Sequence, residues 1–142
     1  MSLSHFDEKS GVVNCQTPWG RWWQNVQEVH VEIDLPPGTR SKDLKIKIEP
    51  TFIECSRGNG TILKGELFSV VHSPPTSVWT LEENRLLHIL LSKATYSGKE
   101  FVWEALLKDG TYAPDLLTLN EMRKKIDLEK FQMEVSTVIF IL

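Results

Sequence analysis

Apolar and polar residues alternate along much of the chain. In "EVHVEIDL" Val29, Val31, Ile33 and Leu35 interleave with His30, Glu32 and Asp34. A period of two puts one set on each side of a strand, so this strand has one dry face and one wet face. Pro36-Pro37-Gly38 closes it, because proline has no amide to give a ladder and glycine permits a tight reversal. "DLKIKIEP" repeats the alternation, with Leu44, Ile46 and Ile48 inward, lysines outward and Pro50 as the stop. "TFIECS" is a further short strand, and Arg57-Gly58-Asn59-Gly60 is a turn of residues that tolerate positive φ. "TILKGELF" places Leu63, Gly65 and Leu67 on one face. Pro74-Pro75 marks a loop, and "SVWTLEENRLLHILLSK" reads as two strands joined at Glu82-Glu83-Asn84-Arg85. With a first strand over about Arg21 to Asn25, that makes about seven short strands with no helix between them. The pattern predicts an all-β fold, an antiparallel β-sandwich, and not a parallel α/β fold.

The pattern changes after Gly98. "EFVWEALLKDG" could be a strand end or a short helical turn. Beyond Pro114, Thr118 and Glu121 fit a capping box, in which each side chain satisfies an orphan amide at a helix start. Leu119, Met122 and Ile126 form a stripe at helical spacing, and Leu128 and Phe131 continue it with a drift. A C-terminal helix is expected over about 119–132. The chain then divides into a flexible lead-in over 1–13, a sandwich domain over 14–104, a C-terminal segment over 105–134 and an apolar tail over 135–142. The tail's "VIFIL" is far shorter than the ~18 residues of a membrane span and reads as a sticky, β-prone segment.

Composition narrows the function. The 142 residues are 41% apolar and 25% charged, enough to bury a core, and the formal net charge is -3. That acid balance argues against nucleic acid, whose phosphates call for a basic surface. Two cysteines, Cys15 and Cys55, make neither a disulfide framework nor a C-x-x-C zinc pair. With no apolar leader at the N-terminus, they point to a reducing, intracellular compartment. His5, His30, His72 and His88 show no metal-ligand spacing, and His30 and His88 fall on the wet faces of strands. No nucleophile elbow, phosphate loop or dinucleotide fingerprint occurs. No catalytic, cofactor or metal residues are assigned. What remains is a protein-binding module.

One stretch is left over. "TPWGRWWQN" packs Trp19, Trp22 and Trp23 close together. On a strand Trp22 and Trp23 must face opposite sides, so they cannot share one role.

With "QEVHVEIDLPPGTRSKDLKIKI" behind it, this stretch resembles a CS domain of the nuclear-distribution protein C (NudC) family. Trp22, Gln24, Val29, Pro37 and Gly38 match the family pattern. "ILKGELF", with Gly65, "WTLEENRLLHILLSK", opening on Trp79, and the later Trp103 extend the match to about residues 6–134. The resemblance implies a sandwich of the small-heat-shock type and no enzymatic activity. It implies a chaperone or cochaperone, of a family whose members stabilise a lissencephaly-type WD-repeat regulator of dynein with heat-shock protein 90. An adaptor that recruits β-propeller proteins without chaperone activity is the alternative. Expected partners are proteins, without nucleic acid or membrane, and a homodimer is left open. Expected locations are the cytoplasm, centrosome, spindle pole and kinetochore. The match makes Trp22 the core tryptophan and leaves Trp23 on the outer face. Trp19 and Trp23 are the expected partner-binding residues, and Trp19 has a second reading as a ring that packs over the sandwich edge or helps the C-terminal segment dock. The resemblance breaks after Gln132, where the family continues with a polar tail. From Val135 onward a retained intron or a mispredicted gene end is the expected source of the sequence.

Overall fold

The computed structural model describes residues 6–7, 12–95 and 101–141. Among these residues ten strands and one α-helix follow in chain order, with a short 3-10 turn over Ser41–Asp43 before the sixth strand: β1 (Phe6–Asp7), β2 (Val12–Val13), β3 (Cys15–Thr17), β4 (Gly20–Gln24), β5 (Glu28–Asp34), β6 (Leu44–Glu49), β7 (Phe52–Arg57), β8 (Gly60–Glu66), β9 (Val78–Glu82), β10 (Leu86–Ser92) and α1 (Leu116–Ile141). They form an antiparallel β-sandwich. One sheet has the order β3-β4-β5-β10-β9, the facing sheet the order β6-β7-β8, and β1 pairs with β2 apart from both. Seven of these strands are the expected ones, and the three short additions lie before Gly20.

The inner faces are those the alternation predicts. Val29, Val31 and Ile33 on β5, Leu87, Ile89 and Leu91 on β10, and Ile53, Cys55 and Leu63 on the facing sheet are all buried. The β9–β10 hairpin turns through Glu83 and Asn84, both at positive φ (52° and 54°), with Arg85 as the third loop residue, its amide donating to the Glu82 carbonyl at 3.1 Å. Pro37 and Gly38, matched on the family motif, are exposed turn residues and not core. Gly38 takes φ +84°, which a side chain at that turn position resists. Thr39 behind them is buried and ties the turn to the β9–β10 hairpin, its amide donating to the Asn84 carbonyl at 2.9 Å.

Several expectations change at the two ends. Residues 1–5 and 8–11 of the expected flexible lead-in lie outside the described residues. Its remainder is paired, Phe6 with Val13 and Asp7 with Val12, and Val13 is buried. At the other end, 101–107 is neither regular strand nor helix. It crosses the open end of the sandwich with Phe101, Val102, Trp103, Ala105, Leu106 and Leu107 buried, and Leu107 bridges to Leu67. Trp103, Leu106, Leu107 and Met122 belong to the same core as the strands, so packing continues across the boundary expected at 104. Gly65 on β8 faces this crossing at Leu107. A Cβ there would lie 2.7 Å from Leu107 Cδ1.

The helix is longer than expected, and its cap is different. Asp115 Oδ1 accepts the Thr118 amide at 2.7 Å, so Asp115 is the N-cap and the capping box at Thr118 is not used. Thr118 is instead buried. Met122 and Ile126 are buried as their stripe predicts, but Leu128 and Phe131 are 57% and 62% exposed. At 3.6 residues per turn the stripe passes from Ile126 to positions 129–130, not to 128 and 131. Lys130 arrives there, its Nζ 4.6 Å from the centroid of the Phe101 ring. Val138 to Ile141 continue the helix backbone, which corrects the β-prone reading of that tail. β-branched residues cost a helix only tenths of a kcal/mol each, less than a ladder already running opposes.

Candidate functional site

Alternation decides what the five-stranded sheet shows to solvent. With Trp22 and Gln24 inward on β4, Arg21 and Trp23 point out. With Val29, Val31 and Ile33 inward on β5, Glu28, His30, Glu32 and Asp34 point out. The register then sets Trp23 opposite His30, Arg21 opposite Glu32, and His88 opposite Glu32 from the other side.

These side chains make an ordered polar face. Arg21 sits between two carboxylates, Nη1 donating to Glu32 Oε1 at 2.8 Å and Nη2 to Asp34 Oδ2 at 2.6 Å. Burial works against the guanidinium charge, and the bonds to Asp34 and Glu32 more than offset it, holding the Arg21 pKa above its ordinary value. Trp23 lies flat on His30, ring centroids 5.0 Å apart and planes 5° from parallel. His88 closes the group, its Nε2 3.0 Å from His30 Nδ1. Burial lowers the His30 pKa, with the neighbouring Glu28 opposing the fall. Beside Arg21 the face dips into a depression of about 450 Å³ rimmed by Asp34, Pro37, Glu83 and Arg85.

The expected residues separate by position. Trp23 is on this face and partly exposed. Trp19 is not: it is 9% exposed, and its ring meets Tyr112 edge-on at 5.2 Å and 78°. The Thr17–Gly20 turn folds it inward over the C-terminal segment, so it is not exposed to a partner and instead packs against that segment at Tyr112. Trp22 is fully buried and donates Nε1–H to the Tyr112 carbonyl at 2.8 Å. Trp79 lies half-buried on the inner side of the edge strand β9 and packs against the core.

Gln24 has a larger part than its motif position shows. Its Nε2 donates to the Trp103 carbonyl at 2.8 Å, and its Oε1 accepts the Trp103 amide at 2.9 Å. One side-chain amide thus pairs with one residue's backbone as a neighbouring strand would. Lys93 completes the lock. Its fully buried Nζ donates to Gln24 Oε1, the Asn25 carbonyl and the Phe101 carbonyl at 3.0, 2.8 and 2.8 Å. Burial pulls the Lys93 pKa down to about 7, with Glu129 opposing. The three carbonyl acceptors also oppose it, since an ammonium has three protons for them and an amine two.

Neither cysteine has nucleophile character. Burial raises the Cys15 thiol to about 11 and the Cys55 thiol to about 12, and a thiolate is what reacts. Among the described residues no group of three or more His, Cys, Asp or Glu side chains is arranged to hold a metal ion. Among the same residues no helix is long and apolar enough to cross a membrane. The chemistry this face offers is recognition through ion pairs, an aromatic stack and hydrogen bonds.

Comparison with known proteins gives the family. The CS-domain family model matches residues 18–93. NudC domain-containing protein 2 of Homo sapiens is 40% identical over 130 residues, covering 91% of this chain and 80% of that protein. The crystal structure of NudC domain-containing protein 2 from Mus musculus is 38% identical and covers 90% of this chain and 95% of that one, with a TM-score of 0.51. The solution structure of the CS domain of human KIAA1068 protein, at 20% identity, shares the fold over 78% of this chain and 87% of that one, with a TM-score of 0.62.

Proposed function

The chain belongs to the CS-domain proteins of the NudC family, and from that premise we propose that it is a non-catalytic cochaperone that docks protein partners on the outer face of its five-stranded sheet. The observation that carries the reading is the Arg21–Glu32–Asp34 and Trp23–His30–His88 face itself. Its charged groups are already paired and its rings already stacked, so a partner would meet groups fixed in place and little side-chain freedom would be lost on docking. Trp23 is the aromatic anchor of that face, of the residue type enriched at interface hot spots.

The client is a WD-repeat protein of the lissencephaly type, stabilised together with heat-shock protein 90. Resemblance to the family is what supports both this choice and the proposed stations at the centrosome, spindle pole and kinetochore. Purified protein should suppress the heat aggregation of such a client and recover both partners in a pulldown. Recovery without suppression would favour an adaptor that only recruits β-propellers. Failure of both would reject the cochaperone reading.

A further inference from the structure

The docking reading uses His30 and His88 only as parts of a stacked face, yet the fold brings their ring nitrogens together from strands far apart in sequence. We propose that they form a site for one divalent transition-metal ion of the borderline class that imidazole favours.

The argument begins with where each ring nitrogen points. His30 Nδ1 and His88 Nε2 face each other at 3.0 Å. The other nitrogen of each ring meets a carboxylate, His30 Nε2 at 3.3 Å from Glu28 Oε1 and His88 Nδ1 at 3.4 Å from Glu82 Oε2. The row Glu28–His30–His88–Glu82 therefore has three gaps, and two neutral imidazoles bring two N–H groups to fill them. One proton in the 3.0 Å middle gap makes an imidazole–imidazole hydrogen bond. With both protons in the outer gaps, against carboxylates that only accept, two lone pairs share the middle gap and a cation can bridge them.

Converging imidazole lone pairs with their distal N–H groups held by carboxylates are the arrangement that orients metal-bound histidines. Two metal–nitrogen bonds of ~2.0–2.1 Å set the nitrogens ~3.3 Å apart at the tetrahedral angle of Zn²⁺ and ~2.9 Å apart at the right angle of tetragonal Cu²⁺ or Ni²⁺. The 3.0 Å pair has to move by a few tenths of an ångström at most. Trp23, flat against His30, fixes that ring's plane. The His30 and His88 side chains are 16% and 26% exposed, so an ion can reach them from solvent. The protein supplies two ligands and water supplies the others, which makes Cu²⁺ the tightest binder, ahead of Ni²⁺ and Zn²⁺. The site stands whether or not this face docks a chaperone.

The test is titration of the full chain with CuCl₂, NiCl₂, ZnCl₂ and MgCl₂ at neutral pH. It is followed by calorimetry and by tryptophan fluorescence, which Cu²⁺ beside Trp23 quenches. Saturable one-to-one binding is expected for the first three salts in that order of affinity, with none for MgCl₂. His30→Gln and His88→Gln should each abolish it, His72→Gln should leave it intact, and Glu82→Gln should weaken it about tenfold. Circular dichroism of each variant checks that the sheet is unchanged. Absence of saturable binding, as would hold if the middle gap takes only a proton, overturns the proposal. Binding retained in the His30→Gln/His88→Gln protein overturns it too.

Discussion

Replacing Gln24 by Met tests how the C-terminal segment is held to the sandwich. Methionine keeps the length and much of the volume of glutamine, so little packing is lost. What is lost is the pairing. The Trp103 amide and carbonyl give up partners at 2.9 and 2.8 Å, and Lys93 gives up one of its three acceptors. These groups are buried, so water cannot replace the missing partner. A buried polar group left unmade costs about 1–3 kcal/mol, and more when charged. Together the three losses come to about 3–9 kcal/mol, and about 1 kcal/mol returns from burying a less polar side chain. The net expectation, about 2–8 kcal/mol, is a large share of the ~5–15 kcal/mol that holds a typical domain folded. Urea denaturation followed by circular dichroism measures it as a lower midpoint. Hydrogen exchange should show the Trp103 amide losing protection first. Combining Gln24→Met with Lys93→Met should cost at least ~1 kcal/mol less than the sum of the single changes, because the two residues belong to one network. A single variant within ~1 kcal/mol of wild type, with Trp103 still protected, would refute the lock.

Trp22→Ala removes a fully buried ring and the acceptor-bound N–H that reaches Tyr112, and should cost about 3–5 kcal/mol in the same assay. Gly20→Ala should destabilise by about 3 kcal/mol, because a Cβ there runs into the backbone carbonyl of Glu32, and a near-neutral result would mean that β4 and β5 separate more easily than their pairing shows. The folded chain releases the Lys93 proton near pH 7, whereas an unfolded chain holds it to about 10.5. Between those values the unfolded state binds more protons, so stability should rise with pH across that window. Lys93→Met should flatten the rise when ΔG from urea is measured over the pH series, and an unchanged slope would place the titration elsewhere.

Strands were legible where one face is dry. The β5 alternation from Val29 to Leu35 left a single register that buries its apolar set, and the turns at Gly38 and Gly58 marked its neighbours. Trp22 inward and Trp23 outward followed from the same period. Short pairings were not legible: Cys15–Thr17 has too few residues for a period, and only the Thr17–Gly20 reversal brings it onto β4. Gln24 was matched as a motif residue, but its partner Trp103 lies far along the chain in a segment with no regular period. His30 and His88 each read as one solvated histidine, because their meeting depends on how β5 and β10 align, which neither strand encodes alone. The cap at Asp115 was missed because Thr118 and Glu121 satisfied a local rule three residues later. Tertiary contact decided between them by burying Thr118. Leu128 and Phe131 were assigned inward by apolarity where the helical angle turns them out.

The most direct test of the docking account compares wild type with Trp23→Ala/Arg21→Ala in suppressing the heat aggregation of a WD-repeat client. Both residues lie on the outer face and outside the core, so the variant should keep its circular dichroism spectrum. The account predicts that the half-suppressing concentration rises about thirtyfold, the loss of a hot spot of ~2 kcal/mol. Suppression at the wild-type concentration by a folded variant would contradict it.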